Sequence, residues 1–143
     1  MKSKKLNAKV LIADDDIPTT KLFRFYLKNS GFNCEVIPAH NGVEAIEQCW
    51  SHLPEIIFMD INMPYKDGIT AIEEIRAGGF TNPIVVITAY PESEERCLKA
   101  GANAVVSKPV SRENFLKQFK KFCKNVKGKS ENPVDGLELA SEI

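Results

Sequence analysis

Three short apolar runs, rich in β-branched residues and separated by amphipathic segments, constrain the fold of this chain most strongly. They cover residues 10–13, 56–59 and 84–87. Each run is almost continuously apolar rather than alternating, which is typical of a strand buried on both faces of a parallel sheet. Weaker runs at residues 34–37 and 104–107 predict two further strands of the same kind.

Five segments with helical periodicity lie after these runs. Capping and stop signals bound them: Asp16 and Pro18 open the first, and Gly31 follows its end. The predicted helices cover residues 18–29, 41–51, 69–77, 92–100 and 111–124. Because strands and helices alternate and parallel crossovers are right-handed, we predict an α/β fold with a doubly wound five-stranded parallel sheet and five helices.

The length and net charge of the chain limit the classes of function that it can have. The chain has 143 residues, the size of one domain, and its 19 basic residues balance its 19 acidic ones. No apolar run approaches the ~20 residues of a membrane span. We therefore expect a soluble, cytoplasmic protein without direct binding to membrane or nucleic acid. Its four scattered cysteines are not at zinc-site spacing and are expected to be reduced.

Composition divides the chain into three parts. Residues 1–8 read as an N-terminal extension, residues 9–125 as one domain, and residues 126–143 as a flexible tail or linker. A docking peptide is the alternative for the last part. Six lysines on and after the last helix fit a solvated face, or else a docking surface for an acidic protein: Lys117, Lys120, Lys121, Lys124, Lys127 and Lys129.

Polar residues follow the predicted strands where the strands end. They are the run Asp14 to Asp16, then Asp60, Thr88 and Lys108. Each alone has an ordinary explanation as a helix cap, turn residue or loop lysine, but the carboxyl ends of parallel strands meet at one edge of a sheet. Carboxylates about 4 Å apart repel by roughly 1 to 4 kcal/mol, so a cation is expected among them. Lys108 and Mg²⁺ both suit that place, and such a site fits aspartyl-phosphate chemistry.

These motifs together resemble the receiver domains of two-component response regulators. The resemblance covers residues 9–124 and rests on the acidic run after strand one, Met59–Pro64 followed by Asp67-Gly68, Ile87-Thr88-Ala89, and Lys108-Pro109. It is nearest to the chemotaxis-type, single-domain members. It implies a flavodoxin-like sheet of strand order 2-1-3-4-5 and a cis Lys108–Pro109 bond.

The resemblance also implies the chemistry of the site. Asp60 would receive a phosphoryl group from a sensor histidine kinase or a histidine phosphotransfer protein. Asp15 and Asp60 would bind Mg²⁺ directly, with Mn²⁺ as a substitute; Asn62 would add its backbone carbonyl and Asp14 would act largely through water. The chain would be a phosphoacceptor signalling domain rather than an enzyme, with self-catalysed phosphorylation and dephosphorylation.

Further residues take implied roles in switching. Lys108 and Thr88 would contact phosphoryl oxygens, and Asn62 and Tyr90 would tune the lifetime of the phosphoryl group. The output surface would be the face of helix four, strand five and helix five, acting on a downstream protein target or through a phosphorylation-dependent dimer. Val105 departs from the family, which often has an aromatic switch residue at this position, so a different output surface is the alternative.

Two competing hypotheses belong to other functional classes. In a haloacid-dehalogenase-like phosphatase, Asp14 would be the nucleophile and Asp16 the acid/base, but Asp60 would have no role, and no later predicted strand ends in the acidic pair that such an enzyme needs for Mg²⁺. A degenerate receiver acting purely as a binding module would not need Asp60 to be phosphorylated.

Overall fold

The computed structural model describes residues 8–123, and these form a single five-stranded sheet covered by helices on both faces. The order along the chain is β1 Ala8–Ala13, α1 Ile17–Lys28, β2 Cys34–Ala39, α2 Gly42–His52, β3 Ile56–Met59, α3 Gly68–Ala77, β4 Ile84–Thr88, α4 Glu94–Ala100, β5 Ala104–Ser107 and α5 Arg112–Phe122. All neighbouring strands pair in parallel in the order β2-β1-β3-β4-β5. The predicted fold class and strand order are confirmed. The predicted tail at 126–143 lies outside the described residues.

The sheet separates two apolar cores. On one face α2, α3 and α4 cover the sheet, and on the other α1 and α5 do so. The second core is aromatic: the Phe115 ring lies 4.5 Å from that of Phe58 and 4.6 Å from that of Phe23, centroid to centroid. β3 and β4 are buried at every position, which explains why their sequences are continuously apolar.

Side-chain caps set the start of most helices. Asp16 accepts a hydrogen bond from the Thr19 amide at 3.1 Å and caps α1, as the sequence predicted. Asn41 and Ser111 likewise cap α2 and α5. Since a cap residue has extended backbone, the predictions that placed residues 41 and 111 inside these helices were wrong by one position. α5 also ends at Phe122, two residues before its predicted end.

The start of α4 differs most clearly from the prediction. A helix was predicted from residue 92, but Pro91–Ser93 form a single 3₁₀ turn and α4 begins at Glu94. The Ser93 amide donates to the Tyr90 carbonyl at 3.1 Å, an i to i+3 bond that tightens this segment.

Strands β1 and β2 are longer than predicted because they pair along their full lengths. Ala8 pairs with Cys34 at one end, and Ala13 with Ala39 at the other. The sheet therefore starts at Ala8, one residue inside the predicted extension 1–8. Pro38 is accommodated because β2 is an edge strand.

Register places the ends of the strands side by side. Ala13 pairs with Met59, so the residues that follow each, Asp14 and Asp60, are neighbours. Thr88 pairs with Ser107, so Lys108 follows directly at the same edge. Among the described residues, no helix has the length and apolar content needed to cross a bilayer.

Candidate functional site: an acidic cluster and a lysine at the carboxyl edge of the sheet

Backbone hydrogen bonds fix two of the acidic residues at the centre of the sheet. The Asp60 amide donates to the Ala13 carbonyl at 2.9 Å, and the Asp14 amide donates to the Ala39 carbonyl at 2.9 Å. Asp14 is only 2% exposed and Asp60 8%. Two carboxylates are thus held near the surface but largely away from water, which is unfavourable unless cations compensate them.

A third carboxylate completes the cluster. Oxygen atoms of Asp14, Asp15 and Asp60, one from each, lie within 4.8 Å of one another. Asp15 is exposed, so the cluster opens to solvent on its side. Clustered carboxylate oxygens with room for water are the donors that Mg²⁺ prefers. The donor set therefore fits a hard divalent cation.

Lys108 is the cation that the structure places at this site. Its Nζ atom lies 2.9 Å from Oδ2 of Asp14 and 3.4 Å from Oδ2 of Asp60. Its backbone amide donates to the Thr88 carbonyl at 2.7 Å, and the Lys108–Pro109 bond is cis, as predicted. One ammonium therefore faces two buried carboxylates, leaving an excess of negative charge.

Burial and charge shift the pKa values of Asp60 and Lys108. Burial raises the pKa of the Asp60 carboxyl, and the neighbouring charge of Asp14 raises it further, against the opposing effects of Lys108 and the Ile61 amide. Burial by itself would lower the pKa of Lys108, but its hydrogen bonds and charge interactions with Asp14 and Asp60 outweigh this and raise the pKa. The raised pKa of Lys108 favours its ammonium form, and the raised pKa of Asp60 indicates that the negative charge of its carboxylate form is only partly compensated.

Thr88 and Tyr90 are linked across the start of the β4–α4 loop. Thr88 is fully buried, and its Oγ1 accepts a hydrogen bond from the Tyr90 amide at 3.0 Å. The Tyr90 side chain is 48% exposed. Together with Asn62 and Arg96, Tyr90 lines an open pocket of about 400 Å³ next to Ile61. The sequence-predicted residues Asn62 and Tyr90 are thus brought together in one pocket, next to the residue that follows Asp60.

Two contributors to the site were missed from the sequence. The Ile61 backbone amide donates to Oδ1 of Asp60 at 2.8 Å, and a backbone group leaves no signature in the sequence. Gly68 donates from its amide to the Ile61 carbonyl at 2.7 Å. A Cβ atom on Gly68 would lie 2.0 Å from the Asp60 carbonyl oxygen, so only glycine permits this close return of the β3–α3 loop. The Asp67-Gly68 pair was the available signal.

Asp16 does not join the cluster chemically. Its carboxylate accepts from both the amide and the hydroxyl of Thr19 and caps α1. These hydrogen bonds lower the pKa of Asp16. An acid that holds its proton poorly and is engaged as a cap is a poor general acid, which disfavours the phosphatase hypothesis.

The comparison with protein families decides the assignment. Residues 10–120 match the model of the response regulator receiver domain. The chain belongs to this family. The receiver domain is a signalling domain of two-component systems, and its members interact with kinases and with downstream targets.

Individual relatives agree with this assignment. The chain is 30% identical over 136 residues to the response regulator MprA of Mycobacterium ulcerans, covering 94% of this chain and 58% of that protein. It is 32% identical over 135 residues to MprA of Mycobacterium tuberculosis, covering 93% and 56%. The receiver thus spans little more than half the length of these curated relatives.

Solved structures show the same fold. The structure of a CheX-CheY complex with BeF3 and Mg²⁺ from Borrelia burgdorferi matches with a TM-score of 0.74 and 30% identity, covering 80% of this chain and 87% of that one. Chemotaxis protein CheY4 of Vibrio cholerae matches with a TM-score of 0.75 and 28% identity, covering 82% and 99%.

One position of this receiver departs from the sequence pattern expected for the family. Val105, where an aromatic residue was expected, is partly buried and packs with Ala100 against the core on the α4 side. The short side chain leaves no ring to move between an inward and an outward position.

Proposed function

We propose that this receiver accepts a phosphoryl group on Asp60 from a phosphohistidine of a sensor histidine kinase or a histidine phosphotransfer protein, and thereby switches a protein-interaction surface. The observation that carries the proposal is the excess charge at the carboxyl edge. Among the described residues, two buried carboxylates, Asp14 and Asp60, share the ammonium of Lys108, and the exposed carboxylate of Asp15 adds a third negative charge to the cluster.

The transfer is a displacement at phosphorus. A carboxylate oxygen of Asp60 attacks, the bond between phosphorus and the donor imidazole nitrogen breaks, and its electron pair stays on that nitrogen. The Ile61 amide, 2.8 Å from Oδ1, orients the carboxylate. Lys108, 3.4 Å from Oδ2, is placed to pair with a phosphoryl oxygen.

The carboxylate cluster supports a role for Mg²⁺, with Mn²⁺ as a substitute. Asp15 and Asp60 would hold the ion directly, Asn62 through its backbone carbonyl and Asp14 largely through water. Mg²⁺, when bound, supplies charge neutralisation for the entering phosphoryl oxygens. Asp15 suits a direct ligand because it is exposed and is not paired with Lys108.

Thr88 is proposed as the switch. Its hydroxyl accepts from the Tyr90 amide but still has its own proton to donate, and a phosphoryl oxygen on Asp60 is the acceptor we propose. Drawing Thr88 toward Asp60 would pull the β4–α4 loop with it. The result is a two-state change on the face of α4, β5 and α5, driven by a local change of charge. With Val105 in place of an aromatic residue, the loop itself must transmit the change.

Asn62 and Tyr90 are proposed to set the lifetime of the phosphoryl group. Both line the pocket next to Ile61, and we propose that water reaches Asp60 through this pocket. Tyr90→Ala should therefore speed dephosphorylation several-fold, whereas Tyr90→Phe, which keeps the ring, should leave the rate near that of the wild type. Equal rates in all three proteins would refute the shielding role.

The remaining parts of the proposal concern partners and location. We propose a cytoplasmic protein that contacts a histidine kinase or phosphotransfer protein and a downstream protein target, without direct contact to nucleic acid. Phosphorylation-dependent dimerisation is one way in which the switched face could act. The balanced charge of the chain supports protein partners over nucleic acid.

The test is intact mass after incubation with acetyl phosphate and Mg²⁺. The wild type should gain one phosphoryl group, Asp60→Asn none, and Asp15→Asn little. Glu47→Gln, an exposed acid on α2, is the matched control and should behave as wild type. If the wild type gains no mass, beryllofluoride binding, read by NMR, separates a short-lived adduct from a silent site. Failure of both would favour a binding module that is not phosphorylated.

A further inference from the structure

The outer surface of α1 and α5 is apolar in part and has no described segment on it. On α1, Leu22 is 45% exposed and Phe25 is 59% exposed. Leu22 also borders an open groove of about 430 Å³ that extends to Pro109 and Val110 at the start of α5. We call α1, α5 and this groove the α1–α5 face. Exposed side chains of this size grouped beside a groove indicate an interaction surface.

This face is strongly basic. Helix α1 contains three basic residues and no acidic one, and α5 contains four basic residues and one acidic one, Glu113. Lys108 also lines the groove, but its charge is compensated by Asp14 and Asp60, so the positive charge of the face comes from the two helices. The two helices together carry a large positive charge in a chain whose net charge is zero. The matching negative charge must therefore lie elsewhere in the chain.

Part of that negative charge is concentrated in residues 131–143. This segment, Glu-Asn-Pro-Val-Asp-Gly-Leu-Glu-Leu-Ala-Ser-Glu-Ile, has four acidic residues and no basic one. It also carries four large aliphatic residues: Val134, Leu137, Leu139 and Ile143. Acidic and aliphatic side chains are the complement of a basic face with exposed Leu22 and Phe25.

We propose that residues 131–143 dock on the α1–α5 face of the same molecule. The aliphatic residues would cover Leu22, Phe25 and the groove, and the acidic residues would pair with the lysines and arginines of α1 and α5. A partner that binds this face would then have to displace the segment. The docking concerns the unphosphorylated protein and does not depend on phosphorylation of Asp60.

The chain that follows α5 is long enough for residues 131–143 to reach the α1–α5 face. Helix α5 has 11 residues and is therefore about 16 Å long. Residues 124–130, between the last described residue and the acidic segment, can span up to about 23 Å when extended. The segment can therefore reach the groove at the opposite end of α5.

The same charges argue against a second copy of the receiver as the occupant. A symmetric dimer through this surface would place one basic face against another, and like charges would repel across the contact. A segment of opposite charge on a short tether has no such penalty, and its effective concentration at the face is high.

Photo-crosslinking of the full chain tests the proposal. The residue p-benzoylphenylalanine is placed at position 139, and the crosslinked peptides are mapped by mass spectrometry. We expect crosslinks within one chain, to α1 near Leu22 and Phe25 or to Pro109 and Val110. The double change Leu22→Ser with Phe25→Ser should reduce them several-fold. Both side chains are exposed, and circular dichroism verifies that the fold is retained.

Charge variants give a second, independent arm. The double change Glu138→Lys with Glu142→Lys should also reduce the crosslinks, as should NaCl at about 1 M, where the Debye length is about 3 Å. Crosslinks mainly between two chains would overturn the proposal in favour of a dimer. No crosslink, crosslinks to another surface, or crosslinks insensitive to both pairs of changes would overturn it as well.

Discussion

The Nζ atom of Lys108 lies 2.9 Å from Oδ2 of Asp14, although 94 positions separate them in the chain. The pairing exists because β1 and β5 end at the same edge of the sheet, with β3 and β4 between them. Asp14 takes the shorter of the two contacts of Lys108, and Asp60 takes the longer one at 3.4 Å. Asp60 is therefore the less compensated of the two buried carboxylates, as the proposed acceptor should be.

Removing the charge of Asp60 should stabilise the metal-free protein. We expect Asp60→Asn to raise the free energy of unfolding in EDTA by about 1 kcal/mol near pH 7, because it ends the repulsion with Asp14. The pKa of Asp60 is raised by burial and by Asp14, so the native state binds this proton more readily than the unfolded chain does. The penalty is present above the raised pKa and fades as the pH falls through it, so the advantage of the variant should vanish below about pH 4.

Urea denaturation across this pH range, with Glu47→Gln as the control for loss of an exposed acid, gives the measurement. If Asp60→Asn lowers the free energy of unfolding, or raises it by an amount that does not depend on pH, then the charge of Asp60 is not unfavourable in the native fold.

Mg²⁺ should stabilise the fold through the acidic cluster. At a concentration 100 times its dissociation constant, the expected gain in unfolding free energy is about 2.7 kcal/mol. Asp15→Asn should remove most of this gain with little effect on the metal-free protein, since Asp15 is exposed. Thermal melting with Mg²⁺ and with EDTA measures both quantities. An equal Mg²⁺ effect in wild type and Asp15→Asn would place the ion elsewhere.

Gly68→Ala should distort the site by displacing the backbone of the β3–α3 loop. The new Cβ would lie 2.0 Å from the Asp60 carbonyl oxygen, so the β3–α3 loop must shift, at a cost of about 2 kcal/mol in stability and with weaker Mg²⁺ binding. Gly31→Ala is the matched control. It meets no atom within 4 Å but has a φ of +91°, so it should cost about 1 kcal/mol and leave Mg²⁺ binding unchanged. Titration calorimetry measures the binding; unaltered affinity in Gly68→Ala would contradict this role.

The buried thiols should be unreactive in the native protein. Burial raises the pKa of Cys49 to about 11 and that of Cys123 to about 12, so almost no thiolate forms near pH 8. Iodoacetamide should therefore label the half-buried Cys34 first, and label Cys49 and Cys123 only after urea is added. Mass spectrometry of the peptides resolves the three sites. Rapid native labelling of Cys123 would contradict the packing at the end of α5.

The central strands could be predicted from sequence because burial on both faces requires continuous apolar runs. β3 was predicted at its observed bounds for this reason. The edge strand β2 was not, since Pro38 is a strand residue only where one side of the strand has no partner. The start of α4 was also missed, because a 3₁₀ turn after Tyr90 and a helix have similar sequence preferences.

The part of the candidate site that consists of side chains at the ends of strands could be predicted from the sequence. Asp14, Asp15, Asp60 and Lys108 come together because the strand order brings them together. Contacts made by irregular backbone could not be predicted, and the Ile61 amide is the example at Asp60.

The hydrogen bonds of Arg76 to neighbouring loops were not predicted from the sequence for the same reason. The Arg76 guanidinium donates to the carbonyls of Phe80, Asn82 and Gly101 and to the Asn103 side chain, at 2.8 to 3.0 Å. These bonds connect the end of α3 to two loops at the amino edge of the sheet. Three of its four acceptors are backbone oxygens, and these cannot be recognised from the residue types in the sequence.

Reductive trapping identifies the residue that carries the phosphoryl group, which we propose is Asp60. The protein is phosphorylated with acetyl phosphate and Mg²⁺, treated with borohydride, which converts an acyl phosphate of aspartate to homoserine, and digested for mass spectrometry. We expect homoserine at position 60 and at no other aspartate position, and none without Mg²⁺. Homoserine at Asp14 or Asp15 with Asp60 unmodified would contradict it.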